Sequence, residues 1–295
     1  MKLIRTIYTL GLLAGLFASC SKESPLDGEQ YYKQVYIVGA YEVVQQFDVA
    51  YGDGPQNAYV AVATGGSQNI DRNVEVVLTH NDATIEWYNN KYMLDAPLKY
   101  QKLDDQFCSF PSMSTTIKAG DVYSRLPFTV ETSELDCDKL YALTFKIESV
   151  SNFVKQPKDT VLIMNLNMTN DFSGTYQMVA IRYTLTDNDE ELTPSSVNMQ
   201  RTLKAVNKDQ VRFFNVTQNS DLSPTGNITS EDYFNSIDNN GVTFTRQPDG
   251  TFTVAGWKNL PVSNGTVSFE DGTFTFCYDY ESGGKRYRLR GTMTK

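Results

Sequence analysis

At 295 residues, with a formal net charge of −9, a pI near 4.7 and a single histidine, the chain is long enough for about two domains and too acidic for a phosphate-binding surface. The lack of a basic stripe excludes nucleic acid as a partner and charge-driven attachment to anionic lipid. Four cysteines with no C-x-x-C and no Cys/His spacing give no metal framework, and no cofactor motif is present.

The chain opens with Lys2 and Arg5, then an apolar run from Ile7 to Ala18. That run is shorter than the about 20 residues that cross a bilayer, and its charged start and small-residue end are those of a secretory signal. Leu16-Phe17-Ala18-Ser19-Cys20 resembles the lipobox of bacterial lipoproteins. The resemblance implies that residues 1–19 are a signal peptide, that Cys20 is acylated, and that the membrane is held through those acyl chains, each buried methylene contributing about 0.8 kcal/mol. Residues 20–30 are polar with Pro25 and Gly28 and read as a lipidated tether. Within it, Lys22-Glu23 resembles the charged signal that sends some Bacteroidetes lipoproteins to the outer face of the outer membrane, so the expected location is the cell exterior.

From Val35 the pattern is that of strands: Val35–Val38, Val43–Val49, Tyr59–Ala63, Val74–Thr79, Leu126–Val130, Tyr141–Ile147 and Thr160–Leu166. Val74, Val76 and Leu78 share one face, as do Tyr141, Leu143, Phe145 and Ile147. Seven short antiparallel strands predict an immunoglobulin-like β-sandwich domain over residues 31–168. The gap from Asn81 to Tyr123 carries no strand signal. Among Cys108, Cys137 and Cys277 at most one intramolecular disulfide can form; Cys108 and Cys137 are the favoured pair because they fall in one domain, and buried free thiols are the default. His80 reads as a surface residue at a strand end.

Residues 169–295 predict a second all-β domain, an antiparallel meander barrel or sandwich, lipocalin-like among the options. Runs at Arg201–Val206, Val211–Val216, Val242–Arg246, Thr251–Val254, Thr266–Phe269, Thr273–Tyr280 and Arg286–Thr294 follow a first strand that ends near Tyr183. Asp249-Gly250, Asn264-Gly265, Asp271-Gly272 and Gly283-Gly284 read as two-residue hairpin turns. Phe274, Phe276, Tyr278 and Tyr280 share a face. A helix is predicted at Ser230–Ile237, capped by Thr229 or Ser230. Asp187–Glu191 reads as a solvated hairpin tip, because it lacks the glycine and closing glutamate of a calcium loop.

Val74-Glu75-Val76-Val77-Leu78, Glu86-Trp87-Tyr88-Asn89, Thr116–Gly120 and Lys139–Leu143 resemble landmarks of the Ig-like domain of Bacteroides surface lipoproteins, and Asp171–Tyr176 with Tyr287–Gly291 resembles the all-β domain that follows it. Such proteins are often encoded beside starch-utilisation-type (Sus-like) importers, which implies an accessory role in polysaccharide utilisation and supplies no catalytic residue. The segment Asp82–Tyr92 has the composition of a carbohydrate-binding surface, with Trp87, Tyr88 and Tyr92 set among carboxylates and amides: pyranose C–H groups pack on aromatic faces, and planar polar groups bond the hydroxyls. Trp87 or Tyr88 could instead plug the sandwich core. Trp257 breaks the alternation after Phe252 and Val254 and is a second sugar-binding candidate, with packing at the barrel end as its alternative. No nucleophile motif is present, and sequence spacing places no carboxylate pair for hydrolysis. The expectation is therefore a non-enzymatic lipoprotein that binds glycan or supports an importer complex, the rival being a structural or adhesive lipoprotein acting on protein partners.

Overall fold

The computed structural model describes residues 28–215 and 229–295. The signal peptide, Cys20 and most of the tether lie outside the described residues. The first unit contains β1 (Gln34–Ile37), β2 (Val44–Ala50), β3 (Gln56–Gly65), β4 (Val74–Thr79), helix α1 (Ala83–Tyr92), β5 (Tyr100–Lys102), β6 (Cys108–Ser109), β7 (Ser114–Ile117) and β8 (Tyr123–Val130). It continues through β9 (Leu140–Val150), β10 (Val154–Lys155) and β11 (Val161–Thr169). Two sheets form the sandwich, in the orders β10-β1-β3-β8-β6 and β2-β11-β9-β4-β7, with β5 on the flank of β9. The alternating residues do as patterning dictates: Val74, Val76 and Leu78 meet Tyr141, Leu143, Phe145 and Ile147 in one core with Val60, Val62, Leu126 and Phe128.

All seven predicted strands form, but pairing is not uniformly antiparallel. β2 runs parallel to β11, β1 to β10 and β5 to β9. The parallel β2–β11 pair arises because the chain leaves the first sheet after β1, turns at Ala40–Glu42 and joins the second. The gap after Asn81 is not a loop. It folds as α1, with Ile85, Tyr88 and Tyr92 at i, i+3 and i+7, and then as three short strands.

The second unit is an eight-stranded closed barrel in which every strand pairs with its sequence neighbours and the last closes on the first. Its strands are β12 (Gly174–Leu185), β13 (Glu191–Asn207), β14 (Gln210–Phe214), β15 (Gly241–Arg246), β16 (Phe252–Gly256), β17 (Val262–Glu270), β18 (Thr273–Ser282) and β19 (Lys285–Thr294). Helix α2 (Ser230–Asn240) precedes β15, and Thr229 caps it by accepting from the Asp232 amide at 3.0 Å. Asp271-Gly272 and Gly283-Gly284 have positive φ at both residues, as tight hairpins require. Asn264-Gly265 does not turn the chain. It is a bulge inside β17, with Asn264 at φ 51° and the register broken between Ser263 and Thr266. That bulge delivers Asn264 to the buried Asp279 carboxylate at 2.9 Å, where Arg288 also donates at 2.7 and 2.8 Å. Burial raises the Asp279 pKa, but these hydrogen bonds and the Arg288 charge outweigh it and hold the carboxyl below its ordinary value.

The barrel is filled, not hollow. Phe244, Phe274, Phe276, Tyr278 and Tyr280 are almost completely buried and pack ring against ring. Tyr278 donates to the Asn215 amide oxygen at 3.1 Å, and Tyr176 to the Phe172 carbonyl at 2.9 Å. Gly291 lets the barrel close, because a Cβ there would overlap the Val179 carbonyl and Ala180. The described interior is thus packed with rings around a buried charge, the Arg201 guanidinium, which donates to the Asn215 carbonyl at 3.3 Å, in place of an open lipocalin-type calyx. Asp187–Glu191 forms the exposed tip between β12 and β13, as expected. Cys108, Cys137 and Cys277 are free thiols, so the Cys108–Cys137 bridge does not form.

Candidate carbohydrate-binding surface

Helix α1 lies on the outer face of the second sheet. Ile85 is buried against Ala142 of β9 and Ile163 of β11, and Tyr88 and Tyr100 pack around that contact with Val43 and Val44. A second fastening is polar. The Asn89 side chain donates to the Tyr100 carbonyl at 2.7 Å and accepts from its amide at 3.0 Å, so one side chain pairs with β5 as a strand would. At the helix start, Thr144 donates to the Asp82 carboxylate at 3.1 Å. Asp105 and Asp82 both grip Lys102, at 3.0 and 3.1 Å, and their hydrogen bonds raise its pKa.

These contacts decide which aromatics are free. Tyr88 is half-buried, and neither it nor Trp87 enters the sandwich core. Trp87 is 46% exposed and Tyr92 55% exposed. They meet edge to face at 5.8 Å, Tyr88 lies 4.9 Å from Tyr92, and the Lys91 ammonium sits 5.0 Å from both outer rings. Such aromatic and cation–π contacts fix the rings in place while exposed faces remain. Beside the helix runs a groove of about 320 Å³ whose lining includes Glu86, Asn90, Lys99 and Gln101. The three aromatics predicted for sugar binding therefore come together on one rigid helix, next to carboxylate and amide groups.

The same sheet face continues from α1 toward the barrel. Two residues along β11 from Ile163, about 7 Å on a strand, Asn165 and then Asn167 begin the floor of a cleft of 740 Å³ between the two units. Gln46 and Asp48 of β2 extend that floor, and Thr202 and Lys204 of β13 form the wall. Asp48 accepts from Gln46 at 3.0 Å and from Asn167 at 2.7 Å, while the Asn165 side-chain oxygen has no partner. A ladder of planar amides and one carboxylate suits hydroxyl-rich ligands. No strand pattern showed it, because it exists only where β2 and β11 meet side by side and the barrel stands opposite.

Trp257 is elsewhere, and the sugar-platform reading of it is corrected. It belongs to a cluster with Phe214, Tyr233, Ile237, Leu98 and Leu140 that joins α2 to the sandwich, and the Arg212 guanidinium lies 4.7 Å over its ring. Arg212 is itself buried and donates to Asp138 at 2.9 Å, and Lys204 also pairs with Asp138, at 3.5 Å. Burial raises the Asp138 pKa, but Arg212 and then Lys204 reverse this and hold it below the usual carboxylate range. This pair locks barrel to sandwich at one wall of the cleft. Asp138 also lies within 4.8 Å of Asp136 and Cys137 donor atoms. Its charge is already matched by Arg212, and burial, with Asp138 beside it, pushes the Cys137 thiol up to about 11, so the trio suits a salt bridge better than a cation. His80 is exposed just beyond β4, with Nδ1 2.6 Å from the Thr144 carbonyl.

A two-sheet sandwich locked to a filled eight-stranded meander barrel, with an aromatic helix on the sandwich, defines an all-β, two-unit class of protein. Two family models match the chain, one for an N-terminal domain over residues 31–154 and one described as C-terminal over residues 160–294. Among solved structures, a structural-genomics protein of unknown function from Bacteroides ovatus is similar at 16% identity and TM-score 0.60, with 89% of this chain and 94% of that one covered. An auxiliary nutrient binding protein from Bacteroides thetaiotaomicron is similar at 16% identity and TM-score 0.57, over 86% of this chain and 91% of that one. A multidomain protein including DUF1735 from Bacteroides ovatus has the same identity and a TM-score of 0.57, over 89% and 94%. What is shared at this identity is the fold. No curated protein matches.

Proposed function

We propose that this chain is a non-catalytic, lipid-anchored accessory protein that holds glycan at the outer face of the outer membrane, beside a Sus-like importer. The observation that carries the reading is the presentation of Trp87, Tyr88 and Tyr92 on one helix, two of them about half exposed, beside polar grooves. A protein that holds these rings out against their hydrophobic tendency forgoes their burial free energy, which a ligand then supplies. The nutrient-binding name carried by one structure of the same fold supports the reading. Acylation of Cys20 is the anchor in this proposal. A panel of neutral polysaccharides tested against residues 21–295 should give binding that Trp87→Ala weakens about tenfold, the value of one stacking contact. Absence of binding across the panel would sink the reading, and lipid labelling that survives Cys20→Ala would sink the anchor.

A second reading, an adhesive protein acting through protein partners, has its own observation. Val179, Ile181 and Leu192 stand exposed on β12 and β13 of the barrel, at 53%, 43% and 50%. Co-purification with an envelope complex that Ile181→Asp abolishes and Trp87→Ala leaves intact would favour it.

A further inference from the structure

We infer that the sandwich carries a second binding site, away from α1, for a saccharide bearing a single carboxylate. It lies at the corner where β1 ends and the chain crosses to β2: β1 pairs with β3 only from Val62 to Gly65, and the rest of that edge of β3 has no strand beside it among the described residues. There a groove of 420 Å³ is lined by Tyr36, Phe47, Tyr59, Tyr123 and Arg125. It continues into a shallow depression shared by Asp121, Val122, Tyr123 and Arg125. Tyr59 is 37% exposed and Tyr123 51% exposed, so both keep ring surface toward solvent. Phe47 meets Tyr59 edge to face at 5.5 Å and fixes it from the sandwich side.

Arg125 gives the groove its charge. Its guanidinium lies 4.3 Å from the Tyr59 ring centre and 5.8 Å from that of Tyr123. Among the described residues no carboxylate salt bridge is formed by Arg125 or by Arg182, which lies over Tyr287, whereas Arg72, Arg212, Arg246, Arg286, Arg288 and Arg290 each have one; Arg125 is the one of the two that lines a groove with two further tyrosines. Stacking on tyrosine restricts the guanidinium beforehand, which lowers the ordering cost of a two-point bond to a carboxylate.

The rest of the lining selects among carboxylates. Ring faces accept pyranose C–H groups, and phenol hydroxyls with the Gln45 and Thr64 side chains reach sugar hydroxyls. One arginine on an acidic protein matches one carboxylate, and a polyanion would meet Asp121 and the net charge. The ligand class is thus a terminal or branching uronate on an otherwise neutral glycan.

The test is calorimetry on residues 21–295 with glucuronate, galacturonate and mannuronate disaccharides, each compared with the same disaccharide after carboxyl reduction. At least one uronate should bind about tenfold more tightly than its reduced partner, as a charge-assisted bond predicts. Arg125→Gln should abolish that difference, and Arg125→Lys should restore part of it. Equal binding of every pair, or discrimination that survives Arg125→Gln, overturns the proposal. So does an acidic peptide that binds in an Arg125-dependent way while no uronate does.

Discussion

The sandwich and the barrel are both rich in aromatic residues and deploy them in opposite directions. Along β18 of the barrel, Phe274, Phe276, Tyr278 and Tyr280 all point inward and are at most 2% exposed. On the sandwich, Trp87, Tyr92, Tyr59 and Tyr123 remain between 37% and 55% exposed, each held by a ring or a cation beside it. The barrel uses its rings as a core, and the sandwich uses its own as surface. On the proposed reading the barrel is then a strut, and recognition falls to the sandwich and the cleft below it.

The largest expected effect lies in the strut. Phe276→Ala empties a site ringed by Phe244 and Tyr278 and should cost about 3–5 kcal/mol. Urea unfolding has two built-in reporters, Trp257 at the barrel and Trp87 on α1. If the two units differ as described, the Trp257 transition moves to lower urea and the Trp87 transition moves less. Coincident shifts would show that they unfold as one body.

The lock between the units comes next. Arg212→Ala leaves the Asp138 carboxylate with Lys204 alone at 3.5 Å and uncovers the Trp257 ring, and should cost about 3 kcal/mol, at the lower end for loss of one partner of a buried pair. The Asp138 pKa is depressed in the folded state, so its contribution is complete above its unfolded value near 4 and is lost as pH falls through the folded value. Acid titration of stability should therefore fall more steeply in the parent than in Arg212→Ala, and parallel curves would mean that the pair does not hold the interface.

How far this was legible differs between the regions for a physical reason. Strand alternation is local, so Val74–Leu78 and Phe274–Tyr280 declared their faces directly. The barrel's closure was readable from its chain of hairpins. Helix α1 was hidden because Trp87, Tyr88, Asn89 and Asn90 are poor helix formers, and tertiary contacts at Ile85 and Asn89 override that preference. The Ile85, Tyr88, Tyr92 spacing was the available signal. Asn264-Gly265 carried a hairpin signature, yet the same positive φ serves a bulge. Trp257 was ambiguous because its partner, Arg212, is 45 positions away. The cleft and the Arg125 groove left no trace, since each is assembled from strands far apart in sequence.

Asn89→Ala probes that override directly. It leaves the Tyr100 amide and carbonyl without their partner and should cost about 1–2 kcal/mol, since each is a half-buried backbone group. Its further consequence separates position from presence. Trp87, Tyr88 and Tyr92 remain in the chain while the helix beneath them loosens, so glycan affinity should fall although no ring is deleted. Amide hydrogen exchange across Ala83–Tyr92 should rise in the same variant; unchanged exchange would mean that Ile85 alone fixes the helix.

The smallest effect on stability is the sharpest on the contrast between the regions. Trp87 touches Tyr88, Tyr92 and Lys91, all on its own helix, and covers no core position. Trp87→Ala should therefore change unfolding free energy by no more than about 0.5 kcal/mol, as an exposed substitution does, where loss of one barrel ring costs several times as much. A tryptophan whose loss the fold does not register and whose loss a ligand does is one retained for its surface. If Trp87→Ala instead destabilised the chain as Phe276→Ala does, the ring would be part of the core after all, and the sandwich would have no claim to be the recognising half.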